Sequence, residues 1–178
     1  MSNVDIVAEH LPLIREIENP EIAEAVAEVW MKMLERSVWD DIGQARFFEG
    51  IEGVSLVSHV NSVTESALAV SRIISKYHGI DFDEQKIIVF GLLHDVDKMV
   101  EYVFDDDGKL VVSDEGKMIQ HGVMSAILAY NAGFDTEMLH LILTHTTESK
   151  RRTPIKEGIL FGNLDKCDWE MASQFTQA

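Results

Sequence analysis

The sequence predicts an all-α fold, a helical bundle carrying one small β-hairpin insertion. Apolar residues recur at spacings of three and four through most of the 178 residues, the period of helices that each bury one face. Only the stretch between residues 102 and 112 reads instead as two short strands flanking a turn. With 46% hydrophobic residues, the chain is long enough for one well-buried core, so a single domain over 1–178 is expected.

The elements follow in chain order. Asn19 before Pro20 is a cap followed by a favoured first helical residue, and Ile22, Ala25, Val26, Val29, Trp30, Met33 and Leu34 then form a core-facing stripe. Trp39 to Gly53 holds three glycines, several acids and Phe47-Phe48, which predicts an irregular connection packed on its aromatics. Leu56, Val60, Val63, Ala67, Val70 and Ile74 mark the next helix, which Gly79 can end. Asp83 to about Met99, with the apolar run Ile87–Leu93, suits a central, mostly buried helix.

The hairpin pairs Tyr102-Val103-Phe104 with Leu110-Val111-Val112 across Asp105-Asp106-Asp107-Gly108. An EF-hand is excluded there, because Gly108 at the sixth loop position would put Val103 at the first ligand position. Three further helices are expected over about 114–131, ending near Gly133, about 135–146, and about 155–174 after Pro154. Residues 1–54 form a helical extension. Its amphipathic helix and Phe47-Phe48 complete the core, cover one wall of an active site, or make a homodimer contact.

Charge and composition narrow the function. A net charge of −16 argues against nucleic acid and against an anionic membrane surface as partners. Cys167 is alone and cannot form an internal disulfide, and the N-terminal MSNVDIVAEH lacks the basic and apolar regions of a secretory signal. The apolar runs are too short to span a bilayer. A soluble, cytoplasmic protein is expected.

Chemistry concentrates in GLLHDVDK, residues 91–98. Neighbouring helical residues diverge by about 100°, so no single amphipathic stripe accounts for both His94 and Asp95. Gly91 leaves a gap one turn below them, where another helix or an ion can approach. His59 borders the face of Leu56 and Val63; His121 shares a face with Met118, Met124 and Leu128; His145 with Met138, Leu141 and Ile142; and Asp165 lies between Phe161 and Trp169. Each helix so read points an ionisable group toward its apolar side. One such histidine alone commonly serves a backbone carbonyl, but a buried group on helix after helix would each incur several kcal/mol of desolvation without a partner. One shared metal centre satisfies them together.

In this order, His59 in SHVNSVTESALAVSRII, His94-Asp95 in GLLHDVDK, His121 in QHGVMSAILA, His145 in LTHTTES and Asp165 in GNLDKCDW, the chain resembles the HD superfamily of metal-dependent phosphohydrolases. The likeness covers roughly residues 55–170. It implies an all-helical HD fold and two metal positions, the first bound by His59, His94, Asp95 and Asp165 and the second by His121 and His145 with Asp95 bridging. Two positions depart from the pattern: Asp97 stands where a small residue is common, and Leu164 where alanine usually precedes the final aspartate. Asp168, one turn further, is either the true final ligand or a partner that orients one.

Imidazoles and carboxylates suit Fe or Mn, with Zn, Co, Ni or Mg as alternatives, and the lack of thiolates disfavours structural zinc. Two divalent ions sharing Asp95 would activate a water for attack on a phosphoryl group, giving Asp95 and Lys98 catalytic roles. From His145 to Lys166, five basic residues (Lys150, Arg151, Arg152, Lys156, Lys166) face three acids, a local excess that can orient an anionic substrate. Lys98, Lys150, Arg151 and Arg152 are the candidate substrate contacts, against the alternative of a solvated loop. Lys98 could instead pair on the surface with Glu101 or Asp97.

The expected substrate is a small phosphorylated compound, with a nucleotide as one candidate. THTTESKRRTP with LDKCD somewhat resembles bacterial hydrolases that split dinucleoside tetraphosphates symmetrically. A (p)ppGpp hydrolase is disfavoured, since the acidic pair of that branch occurs only reversed, as Asp114-Glu115. The ligand set also resembles that of mixed-valence di-iron oxygenases of the same superfamily. A degenerate, nucleotide-binding HD domain without catalysis is the third reading.

Overall fold

In the computed structural model of the protein, which describes residues 1–48, 53–146, 149 and 151–175, side-chain caps fix where the helices begin. Ser2 makes a capping box with Asp5 at the start of α1 (Asn3–Ala8). Asn19 accepts from the Glu21 amide and, with Pro20, opens α2 (Pro20–Arg36) as its sequence predicts. Ser55 caps α3 (Leu56–His78), which Gly79 ends in the left-handed conformation at φ 67°. Asp83 caps α4 (Glu84–Leu93).

Beyond α4, a short α5 (Lys98–Glu101) leads into a hairpin of β1 (Tyr102–Phe104) and β2 (Leu110–Val112). The two strands are the expected ones, and their register pairs Tyr102 with Val112, Val103 with Val111 and Phe104 with Leu110. Four more helices follow: α6 (Asp114–Met118), α7 (Val123–Asn131), α8 (Thr136–Thr144) and α9 (Lys156–Phe175). The architecture is all-α with one small antiparallel hairpin. Among the described residues, no helix is long and apolar enough to cross a membrane.

Helix α3 packs along α4 and α9, and α7 pairs with α8. The N-terminal third joins the same hydrophobic cluster: Val7, Leu11, Ile14, Val26 and Trp30 are buried with Phe90, Leu93 and Phe161. Two buried indoles tie it to the centre of the chain. Trp30 donates to the Leu92 carbonyl at 2.7 Å and Trp39 to the Met99 carbonyl at 3.1 Å. Of the irregular connection, Trp39, Ile42, Ala45 and Phe47 are buried, whereas residues 49–52 lie outside the described residues.

Two predicted helices are corrected. The helix expected from Asp83 to Met99 stops at Leu93, turns through residues 94–97 and restarts as α5. The cause is Asp97: its amide donates to Ser125 Oγ at 2.9 Å instead of continuing the helix, and its carboxylate accepts from the Gly122 amide at 2.7 Å. The helix expected over 114–131 likewise breaks between Met118 and Val123, where Gly122 adopts φ 86°. His121 therefore stands in the turn before α7, not on a helical face shared with Met118, which is 80% exposed. The short α1 and the 3-10 turn Pro12–Glu16 were not legible as elements.

The gap beneath His94 and Asp95 is filled by a helix. A Cβ on Gly91 would lie 2.2 Å from Thr64 Oγ1 and 2.7 Å from its Cγ2, so α4 meets α3 through a glycine. Gly91→Ala is expected to destabilise the protein by about 1–3 kcal/mol through overpacking. A fall in the urea midpoint at unchanged slope would measure it; an unmoved midpoint would refute this close approach.

Candidate metal centre

Four imidazoles surround one buried carboxylate. His59 comes from α3, His94 and Asp95 from the turn after α4, His121 from the turn before α7, and His145 from the residue after α8. Asp95 Oδ2 lies 3.3 Å from His59 Nε2 and 3.6 Å from His94 Nε2. Its other oxygen, Oδ1, lies 2.6 Å from His121 Nε2 and 3.2 Å from His145 Nε2. Asp165, on α9, adds Oδ1 at 3.2 Å from His59 Nε2 and 4.0 Å from His94 Nε2. All six residues singled out in the sequence as ligands meet here.

The opposite ring nitrogen of each histidine also faces a protein oxygen. His94 and His145 follow the last residues of α4 and α8, and each donates Nδ1–H to the carbonyl three residues earlier: Gly91 at 2.7 Å and Ile142 at 2.6 Å. Those carbonyls would otherwise lack partners at a helix end. Asp168 Oδ2 lies 2.7 Å from His59 Nδ1, and its other oxygen accepts from Ser62. Asp97 Oδ1 lies 3.1 Å from His121 Nδ1, close enough to pair but out of line for a hydrogen bond, and Glu101 Oε2 lies 3.5 Å away. Phe47 stacks on the His59 ring, centroids 3.8 Å apart and planes 18° apart.

These tautomers leave the Nε2 lone pairs facing inward. His59 Nε2 then meets His94 Nε2 at 3.4 Å, Asp95 Oδ2 and Asp165 Oδ1, acceptors on every side. Such a cluster requires a positive charge at its centre, supplied by a proton or a metal ion. Burial opposes the imidazolium of His59, but bonds from Asp165, Asp168 and Asp95 outweigh it and push its pKa up to about 10. Burial and Lys98 oppose that of His121, and Asp97 and Asp95 still raise it to about 10. Burial wins at His94, whose pKa falls to about 4. Although burial opposes ionisation of Asp95, the surrounding histidines and Lys98 hold its pKa well below the usual carboxylate range.

Among the described residues, three overlapping groups could hold a divalent metal: His59, His94 and Asp95; His94, His145 and Asp165; and Asp95, His121 and His145. Their nitrogen and oxygen donors fit the ions expected from the sequence. A cavity of about 330 Å³ opens beside them and is lined by Asp95, His121, His145 and Asp165.

Further residues line this cavity. Lys98 lines it with its amine 3.6 Å from Glu101 Oε2 and 5.5 Å from the centroid of Phe47. It is a buried cation rather than a surface pair, because Asp95, Glu101 and Asp97 raise its pKa against the effect of burial. Lys166 lines the cavity as well. Arg151 and Arg152 are exposed and do not line it, and Lys150 lies outside the described residues. Glu101 and Thr146 also line the cavity; no spacing in the sequence singled them out. The motif departure at Asp97 was the visible sign of its place behind His121.

The HD-domain family matches residues 56–170, about two thirds of the chain. The chain belongs to the HD-domain family. It is 27% identical over 90 residues to dihydroneopterin 2',3'-cyclic phosphate phosphodiesterase of Methanocaldococcus jannaschii, a match covering 51% of this chain and 36% of that protein. No solved structure matches the chain significantly.

Two outcomes are expected of this HD domain. Asp168→Ala removes the carboxylate behind His59 and is expected to weaken metal binding roughly 10- to 100-fold, measured by calorimetric titration. In chelator-treated protein, neutral His94 favours folding as pH rises from about 4 toward 6.5. The tightly held protons of His59 and His121 stabilise fully below about 6.5 and progressively less as pH rises toward 10. Urea midpoints across pH should therefore peak near 6.5; a curve rising steadily to pH 9 would contradict these assignments.

Proposed function

We propose that the protein is a metal-dependent phosphohydrolase acting on a small phosphorylated substrate, with nucleotides as the leading class, at a binuclear site. His59, His94, Asp95 and Asp165 would hold one ion, and His121, His145 and Asp95 the other. The observation that carries this reading is the division of Asp95, whose two oxygens face two separate histidine pairs. Membership of the HD family and the likeness to a phosphodiesterase support it.

Bound ions would supply Lewis acidity and an activated water near neutral pH. The chain's own residues do the rest. The carbonyls of Gly91 and Ile142, with Asp168 and Asp97, hold the imidazole planes in place. Lys98 and Lys166 bring positive charge to the wall of a cavity in a strongly acidic chain, where a phosphoryl oxygen needs it. Burial leaves Asp95 2% exposed, and Phe47 covers the His59 ring, so these interactions act in a medium of low dielectric that strengthens them.

Metal analysis of protein purified without added metal, beside His121→Ala, tests the site. About two Fe or Mn ions per chain are expected, falling to about one or fewer in the variant. One ion per chain, unchanged by the substitution, would overturn the binuclear reading. Phosphate release without oxygen uptake is expected from a panel of phosphate esters; oxygen consumption without phosphate release would overturn hydrolysis.

A further inference from the structure

One wall of the cavity is not accounted for by phosphate chemistry. Phe48, from the connection before α3, and Trp169, from α9, both line it. Their ring centroids lie 6.2 Å apart with planes at 82°, edge to face. Tyr102 backs Phe48 from the hairpin side, at 6.1 Å and 68°. Phe47 beside them points inward onto His59 and is buried, whereas Trp169 remains 40% exposed.

An isolated exposed aromatic needs no explanation. This one is defined by where it stands. Trp169 follows Asp165 by four residues, so its indole lies one turn, about 6 Å, along the same face of α9 from the carboxylate beside His59 and His94. Lys98 and Lys166 line the same cavity. Imidazoles and carboxylates, two lysines and two aromatic rings thus line one cavity. Perpendicular rings form a corner: a planar ring stacked on one presents its edge to the other, and both are favoured aromatic geometries.

A ligand complementary to all three parts has an anionic group, a polar spacer about as long as one sugar, and a planar ring. We propose that Phe48 and Trp169 are specificity-determining residues that form a binding corner for a planar heteroaromatic ring of the substrate, about one helical turn from its phosphate. The phosphate end of this assignment rests on the phosphohydrolase reading; the ring end does not. A volume of about 330 Å³ suits one ring with its spacer and phosphate, since small-molecule sites run from about 300 to 1,000 Å³. Stacking of this kind tolerates different bases, because every base has a π-face. Selection is therefore for a flat ring over an aliphatic ester, rather than for one base over another.

Two measurements test it. Trp30 and Trp39 are buried, so Trp169 is the indole positioned to report on a ligand in the cavity. Adenosine and guanosine are expected to quench the fluorescence of the as-purified protein saturably, ribose is not, and Trp169→Phe should abolish the effect. Nucleosides that act no differently from ribose would overturn the proposal.

Second, the ratio of kcat/KM for a nucleoside monophosphate to that for glycerol phosphate is compared across variants. Trp169→Ala and Phe48→Ala should lower this ratio roughly tenfold to a hundredfold, chiefly through KM of the nucleotide, and Trp169→Phe should retain most of it. A ratio unchanged in the alanine variants, even if both rates fall, would assign the two rings to packing and overturn the proposal. If no phosphate ester is hydrolysed, the phosphohydrolase reading fails, and the fluorescence result decides the ring site by itself.

Discussion

Asp95 is 2% exposed and has an imidazole nitrogen within 3.6 Å in four directions. A carboxylate that deep would be untenable without compensating charge, since removing an unpaired ion from water costs several kcal/mol or more. The histidines come from three different helices or their ends and from one turn, so satisfying this one group fixes the relative positions of α3, α4, α7 and α8. Helix α9 joins through Asp165 and Asp168, which approach the two nitrogens of His59 from opposite sides. The polar centre thus sets how the apolar layers are arranged.

The layer behind the clustered imidazoles is built from local structure wherever possible. His94 and His145 each occupy the residue just past a helix and bond the carbonyl three residues back, so the helix end itself orients the ring. His59 lies in the first turn of α3, far from the free carbonyls of that helix's C-terminal end, and takes its orientation from Asp168 on another helix. His121 sits in a turn with no helix end to use. Asp97 serves it, and the same carboxylate binds the Gly122 amide that starts α7. One residue thereby ends a helix through its amide, and through its carboxylate begins another and holds a ring between them.

The six residues that meet at the centre were legible because each is a residue type that seldom enters a core unpartnered, and they recur at intervals that the HD resemblance orders. The hairpin strands and the starts of α2, α3, α4 and α9 were legible for a similar reason, since caps, prolines and alternating apolar residues act within a few positions. The helix breaks at residues 94–97 and 119–122 were not. Both segments are helix-compatible in isolation, and the bonds that break them run from Asp97 to Gly122 and Ser125, across about 25 residues. The basic run near residue 150 shows the converse limit. Its charge was plain, but Arg151 and Arg152 face solvent while Lys166, a helix away, lines the cavity.

The sequence by itself determined the helical class, the HD identity and the six residues that meet at the centre, because periodicity and residue chemistry are properties of short stretches of chain. Tertiary structure alone decided which oxygen of Asp95 faces which pair of histidines, that Asp168 stands behind His59 while Asp165 faces its Nε2, and that Phe48 and Trp169 meet beside the cavity. Those are distances between side chains up to about 120 positions apart in sequence, as Phe48 and Trp169 are, and only the packing of α3, α4 and α9 against one another sets them.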